Sequence, residues 1–192
     1  MTAEFLKGTN LYLVGMMGSG KTTIGKHLAH TLNYRFIDTD DVIVQATGQS
    51  INQIFAEQGE AAFRDIETQV LGQVAPYTRT VIATGGGMVI KQKNWGYLQS
   101  GLVVWINVSI DELMLRLSRD KSRPLLKDGS LRNKLTTLLE QRQQRYAQAD
   151  ATVVYQSGEK ATAIAKRILE TLQTVIAENP ATSSTISRPS HP

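Results

Sequence analysis

Lys21 and Thr22 end the run Gly15-Met16-Met17-Gly18-Ser19-Gly20-Lys21-Thr22, which has the spacing G-x-x-x-x-G-K-[ST]. Glycines at that spacing let the backbone close round a phosphate with no Cβ in the way. Successive N–H groups then point inward at a helix N-terminus and form an anion nest. The lysine reaches the β- and γ-phosphates, and the hydroxyl after it is placed to ligate Mg²⁺. The pattern carries weight only between a strand and a helix. Here the apolar run Leu11, Tyr12, Leu13, Val14 precedes it, and residues 22–32, with Ile24, Leu28, Ala29 and Leu32 at helical spacing, follow.

Further groups could complete a reaction. Asp38 and Asp40 come just after a short strand at residues 34–37. Ligands of open α/β sheets bind off the C-terminal ends of strands, so carboxylates there are placed for function. Helix capping competes as a use for such residues and is enough to account for Asp41. Gly85, Gly86 and Gly87 follow the strand at 80–84, where glycines allow close approach of a ligand to the backbone. Arg64 shares a helical stripe with Glu60 and Glu67; taken alone, that is a solvated face with an i,i+4 ion pair. Arg142 continues the stripe Leu131, Leu135, Leu138, and Tyr146 follows four residues later. An arginine in an apolar stripe either snorkels along it or points into a cleft. Residues 119–128 lack apolar periodicity and carry Arg119, Lys121, Arg123 and Lys127. That is either a solvated loop or the basic lid that phosphoryl transfer needs to exclude water and neutralise charge. Paired arginines suit a carboxylate or phosphate on the acceptor, so the set as a whole specifies phosphoryl transfer to a small molecule.

These groups need elements to hold them. Strands are expected at 10–15, 34–37, 80–84, 102–108 and 152–155. Helices are expected at 22–32, 51–58 (capped by Ser50), 60–74, around 90–99, after Ser109 with Arg116 near its end, at 131–149 and at 159–177. Short strands alternating with helices predict an α/β fold of three layers, a five-stranded parallel sheet flanked by helices. The continuous apolar run at 102–108 reads as a central strand buried on both faces. One domain over residues 1–177 is expected, followed by a tail at 178–192 whose composition cannot pack.

Composition narrows the function. The chain has 192 residues and a formal net charge of +4, which suits an anionic ligand. No basic stripe or aromatic-basic platform accompanies that charge, so no nucleic-acid partner is expected. The absence of cysteine excludes disulfides, thiolate metal sites and cysteine nucleophiles. His27 and His30 lie on the first helix with no carboxylate or third ligand beside them and read as surface residues. Residues 1–10 lack the apolar core of a signal peptide. The most apolar run is too short to span a bilayer. The expectation is a cytoplasmic protein with no membrane partner, and with no apolar stripe left over, a monomer.

In order, Gly15 to Thr22, then Phe36-Ile37-Asp38-Thr39-Asp40, then Gly59-Glu60-Ala61-Ala62-Phe63-Arg64-Asp65-Ile66-Glu67, then Gly85-Gly86-Gly87, then Arg123-Pro124-Leu125 resemble the shikimate kinase family. The resemblance extends over most of the chain. It implies a P-loop fold of the nucleoside monophosphate kinase type, with a substrate-binding insertion at about residues 39–72 and a lid at about 118–130. It implies that Gly18, Ser19, Gly20, Lys21, Thr22 and Thr23 bind ATP, with Arg116 near the adenine and Arg123 over the phosphates. Thr22 would hold Mg²⁺, aided by Asp38. Asp40 would bind the ring hydroxyls of shikimate and accept the proton of the attacking 3-hydroxyl. Arg64 and Arg142 would hold the shikimate carboxylate beside the Gly86 backbone, with Glu67 orienting the arginines. Lys21, Asp40 and Arg123 would be catalytic. The chain departs from the family's Arg-x-Pro-Leu-Tyr at Arg142-Gln143-Gln144-Arg145-Tyr146. Arg145 is therefore a competitor for the ligand role of Arg142. Loss of the proline also predicts a helix that runs further than usual.

Two other readings share the phosphate loop. One is a different small-molecule P-loop kinase, acting on gluconate or a nucleoside monophosphate; the glycine triplet and the Phe63-Arg64 pair disfavour it. The other is a non-catalytic nucleotide-binding module, against which Lys21, Thr22, Asp38, Asp40 and Arg123 all stand intact.

Overall fold

The computed structural model describes residues 3–119 and 131–178. The lid segment around Arg123 and the tail beyond residue 178 lie outside the described residues. After a 3₁₀ turn, Ala3–Leu6, the order is β1 (Leu11–Val14), α1 (Lys21–Leu32), β2 (Arg35–Asp38), α2 (Thr39–Thr47), α3 (Ile51–Val74), β3 (Thr80–Ala83), α4 (Gln92–Leu98), β4 (Leu102–Asn107), α5 (Ile110–Arg119), α6 (Leu131–Tyr146), β5 (Ala151–Val154) and α7 (Ala161–Glu178). The five strands form one parallel sheet in the order β2-β3-β1-β4-β5. This is the expected flanked parallel sheet. Every residue of β1 is buried and β4 is buried over all but its last, as central parallel strands covered on both faces must be. Trp95 and Trp105 are core residues, the latter stacked on Tyr146.

Register decides where the chemistry emerges. Asp38 pairs with Ala83, and Leu13 pairs with the same Ala83. The phosphate loop after β1, the aspartates after β2 and the glycines after β3 therefore leave the sheet at one edge and at one height. A separate small core of Ile43, Ile54, Phe63 and Val70 joins α2 to α3, so the segment expected to be an insertion carries its own hydrophobic cluster. Ser50 caps α3 through a reciprocal pair: its hydroxyl accepts from Gln53 N at 3.3 Å and its N–H donates to Gln53 Oε1 at 2.8 Å.

Two expectations change. α2 was not foreseen as an element; Asp38 caps it by accepting from the Asp40 N–H at 3.1 Å. The break expected between helices at 51–58 and 60–74 is present: α3 leaves helical geometry at Gly59, whose φ of 80° and ψ of 175° suit glycine alone. α6 does not run on to residue 149. It stops at Tyr146, and Gln148 and Ala149 close a tight turn by donating three residues back to Arg145 and Tyr146, because β5 must begin at Ala151.

Candidate active site

The phosphate loop is built as its glycines dictate. Gly18 and Gly20 have φ of 76° and 92°, a region where side chains are strained, and Gly20 stands at the N-cap of α1. Nζ of Lys21 is held over the loop, donating to Gly15 O and Met16 O at 2.9 Å each and to Ser19 Oγ at 3.3 Å. Thr22 Oγ1 donates to Asp38 Oδ2 at 2.7 Å. The two groups expected at a metal thus stand side by side as hard oxygen donors, the kind Mg²⁺ takes together with phosphate oxygens and water. Among the described residues, no cluster of three or more His, Asp or Glu forms a separate metal cage.

One cavity of about 370 Å³ opens beside the loop. Met17, Gly18, Gly20, Lys21, Thr22 and Thr23 form one wall; Asp38, Asp40, Thr84 and the three glycines form the floor; Phe63, Arg64, Glu67 and Arg142 face them. Arg64 is fixed from both sides. Its Nη1 meets Glu67 Oε2 at 2.7 Å, its Nη2 meets Glu60 Oε1 at 2.9 Å, and its guanidinium lies 5.3 Å from the Phe63 ring centre. The fork that could have been a solvated face is therefore turned inward, with 12% of the side chain exposed. Arg142, 5% exposed, donates through Nη1 to Gly86 O at 3.2 Å and keeps a buried Nε with no partner. Arg145 instead donates to the Gln92 side chain and does not line the cavity. Between the two candidates for an inward-facing arginine, the geometry selects Arg142.

Electrostatics divides the cavity. Burial pushes the Glu67 carboxyl above the usual carboxylate range, Arg64 and Arg142 oppose that, and nearby Asp40 adds to it. Glu67 Oε1 is buried without a hydrogen-bond partner. The glycine floor explains how such groups crowd together. A Cβ on Gly85 would stand 2.7 Å from Glu67 Oε1 and 2.8 Å from Asp40 Oδ1, and a Cβ on Gly87 would overlap the Arg64 guanidinium.

Not every expected residue joins this cavity. Ser19 is fully buried in the body of the loop, and Arg116 lies behind the loop rather than in the cavity. Arg123 lies outside the described residues. Sequence reasoning missed Ile51 and Phe55, which line the cavity from the first half of α3; their separation of four residues on a helix was the available signal. It also missed the work of Tyr146, whose hydroxyl donates to Gly86 O at 2.6 Å.

Comparison with known proteins identifies this arrangement. The family model described as shikimate kinase matches residues 17–173. The chain belongs to the shikimate kinase family. A shikimate kinase of Rippkaea orientalis is 55% identical over 175 residues, covering 91% of this chain and 94% of its own. The solved structure of shikimate kinase from Acinetobacter baumannii in complex with shikimate superposes with a TM-score of 0.83 at 38% identity, over 89% of this chain and 96% of that one. A gluconokinase from Sinorhizobium meliloti covers 92% of this chain and 98% of its own with a TM-score of 0.55 at 18% identity, a likeness of fold alone. As a member of the shikimate kinase family the chain is an ATP-dependent kinase. Among the described residues, no helix is long and apolar enough to cross a membrane.

Proposed function

We propose that this chain transfers the γ-phosphoryl group of ATP to the 3-hydroxyl of shikimate, giving shikimate 3-phosphate and ADP on the route to aromatic amino acids. The observation that carries the reading is the convergence of Arg64 and Arg142, from two different helices, on the glycine turn opposite the phosphate loop. Arg142 keeps a buried Nε without a partner and Arg64 lines the same cavity, and guanidinium forks of this kind bind the carboxylate of a small acid bidentately. Asp40, on the same floor, takes the ring hydroxyls, orients the 3-hydroxyl and accepts its proton as the O–P bond forms and the β–γ bridge bond breaks. Gly86 contributes backbone, and Glu67 and Tyr146 hold the arginine site in shape.

On the donor side, the N–H groups of Gly18, Ser19, Gly20, Lys21, Thr22 and Thr23 cradle the phosphates, and Lys21 Nζ moves onto the β- and γ-oxygens. Thr22, with Asp38 beside it, would hold Mg²⁺, which when bound would neutralise phosphate charge. Arg123 of the lid adds positive charge over the transferred group. Such transfer is loose in its transition state, so positioning and charge neutralisation carry the rate. Residues 1–177 form a single kinase domain, with 39–72 as the acceptor-binding insertion and 118–130 as the lid. The enzyme works as a cytoplasmic monomer with no nucleic-acid or membrane partner. Phosphorus and proton NMR of the product tests the reaction: a phosphate monoester coupled to the C3 proton of shikimate is expected, and a product phosphorylated elsewhere contradicts the role of Asp40.

A further inference from the structure

Arg116 stands in a setting that the acceptor cavity does not explain. Its Nη1 donates to the carbonyl oxygens of Gly18 at 3.3 Å and Ser19 at 3.2 Å, its Nε donates to Glu112 Oε1 at 2.8 Å, and its guanidinium carbon lies 4.1 Å from the centre of the Tyr155 ring. The side chains of Arg116 and Glu112 are only 26% and 16% exposed. A phosphate loop turns its N–H groups inward, so its carbonyls must face outward. A cation held on those carbonyls satisfies them, and by polarising the same peptide groups it strengthens the inward N–H donors. It also locks the loop in its nest conformation without touching a phosphate.

We propose that Tyr155 is a positioning residue for nucleotide binding, acting through Arg116 on the back of the phosphate loop. The planar guanidinium can serve two adjacent carbonyls only if its plane is fixed. Glu112 fixes one edge and the Tyr155 ring fixes one face, by the stacking and cation–π attraction that arginine makes with aromatic rings. The ring is itself anchored: Tyr155 N–H donates to Asn107 O at 2.8 Å, and its hydroxyl accepts from Gly158 N–H at 3.1 Å. The last strand of the sheet is thereby coupled to the first loop. Neither an apolar stripe nor a motif marks Tyr155, because its partner is thirty-nine residues away in sequence. The inference rests on the loop binding ATP, as proposed above.

The test is calorimetric titration of ADP, GDP and CDP into the full chain and its Tyr155→Leu and Tyr155→Phe variants, alongside the KM for shikimate. Tyr155→Leu is expected to weaken all three nucleotides by the same factor, about five- to tenfold, with the KM for shikimate unchanged. Tyr155→Phe, which keeps the ring, stays within about twofold of the parent, the size of effect left when only a solvated hydroxyl contact is lost. Unchanged nucleotide affinity in Tyr155→Leu overturns the proposal. So does a loss that depends on the base, since that would put the ring against the base rather than behind the loop. A loss matched by an equal rise in the KM for shikimate also overturns it, as the mark of general destabilisation. If Tyr155→Leu fails to fold, Glu112→Ala takes its place: weaker binding of all three nucleotides supports the proposal, and parental affinity overturns it. A parent chain that binds none of the nucleotides sinks the ATP reading itself, and the inference with it.

Discussion

At the residue scale, the site depends on charges being held where they would not choose to stay. Arg64 is the sharpest case. Its stripe with Glu60 and Glu67 has the look of a solvated face, and only burial shows that Glu67 lies within the protein and pulls the guanidinium in after it. Arg64→Ala is expected to raise the KM for shikimate by about ten- to a hundredfold, the worth of a charge-assisted pair, with the KM for ATP little changed; steady-state kinetics with each substrate varied would show it, and an unchanged KM for shikimate would return Arg64 to the surface. Gly87→Ala should have a similar signature, because its methyl group would overlap the Arg64 guanidinium while leaving the phosphate loop alone. Asp40→Asn should lower kcat by about two to four orders of magnitude, the range for a lost general base, with nucleotide affinity close to that of the parent. Near-parental turnover in that variant would remove Asp40 from the chemistry.

At the element scale, much of the scaffold was legible and the exceptions are instructive. All five strands were legible as short runs between turn residues; β1, β3 and β4, buried on both faces, leave the apolar signature of central parallel strands most strongly, while the edge strands β2 and β5 are only partly buried. α2 was not: capping was weighed and given to Asp41, whereas the residue that caps is Asp38, which also lines the candidate site. The end of α6 was misplaced because nothing in Ala147-Gln148-Ala149 stops a helix locally; the turn is imposed by the demand that β5 start at Ala151. Within the site, residues inside a motif could be read directly. Ile51 and Phe55 could not, because on a helix they resemble ordinary apolar positions until the bend at Gly59 turns them toward Phe63 and Arg64. That bend gives a prediction. An alanine at Gly59 meets no neighbouring atom, so its cost is backbone strain alone, about 1–3 kcal/mol. Gly59→Ala should lower stability by that amount in denaturant unfolding, and should also raise the KM for shikimate by moving one half of α3 against the other. Parental stability would mean that the bend carries no strain for other residues.

At the scale of the whole molecule, the buried phenols set an alkaline limit. Burial raises Tyr12, Tyr34 and Tyr146 above the ordinary value of 10.0, against opposing contacts in each case. The unfolded chain releases these protons at the ordinary value while the native protein still holds them. Above that pH the unfolded state binds fewer protons, so stability falls as pH rises. Their contribution is complete below pH 10 and is lost through the raised native values. Melting temperature should therefore drop as pH rises above about 10, and less steeply in Tyr146→Phe; parallel slopes would contradict the assignment. The molecule as a whole is a donor half and an acceptor half meeting at one sheet edge. The phosphate loop identifies only the donor; on the proposed reading the acceptor is specified by Asp40, Arg64, Gly86 and Arg142, which are scattered along the chain and line one cavity. The most direct test of that claim is ADP release measured with ATP, Mg²⁺ and one acceptor at a time: shikimate, gluconate or AMP. Rapid release with shikimate and background release with the other two is the expected result. Release that is no faster with shikimate than without an acceptor, or faster with gluconate or AMP, would contradict it.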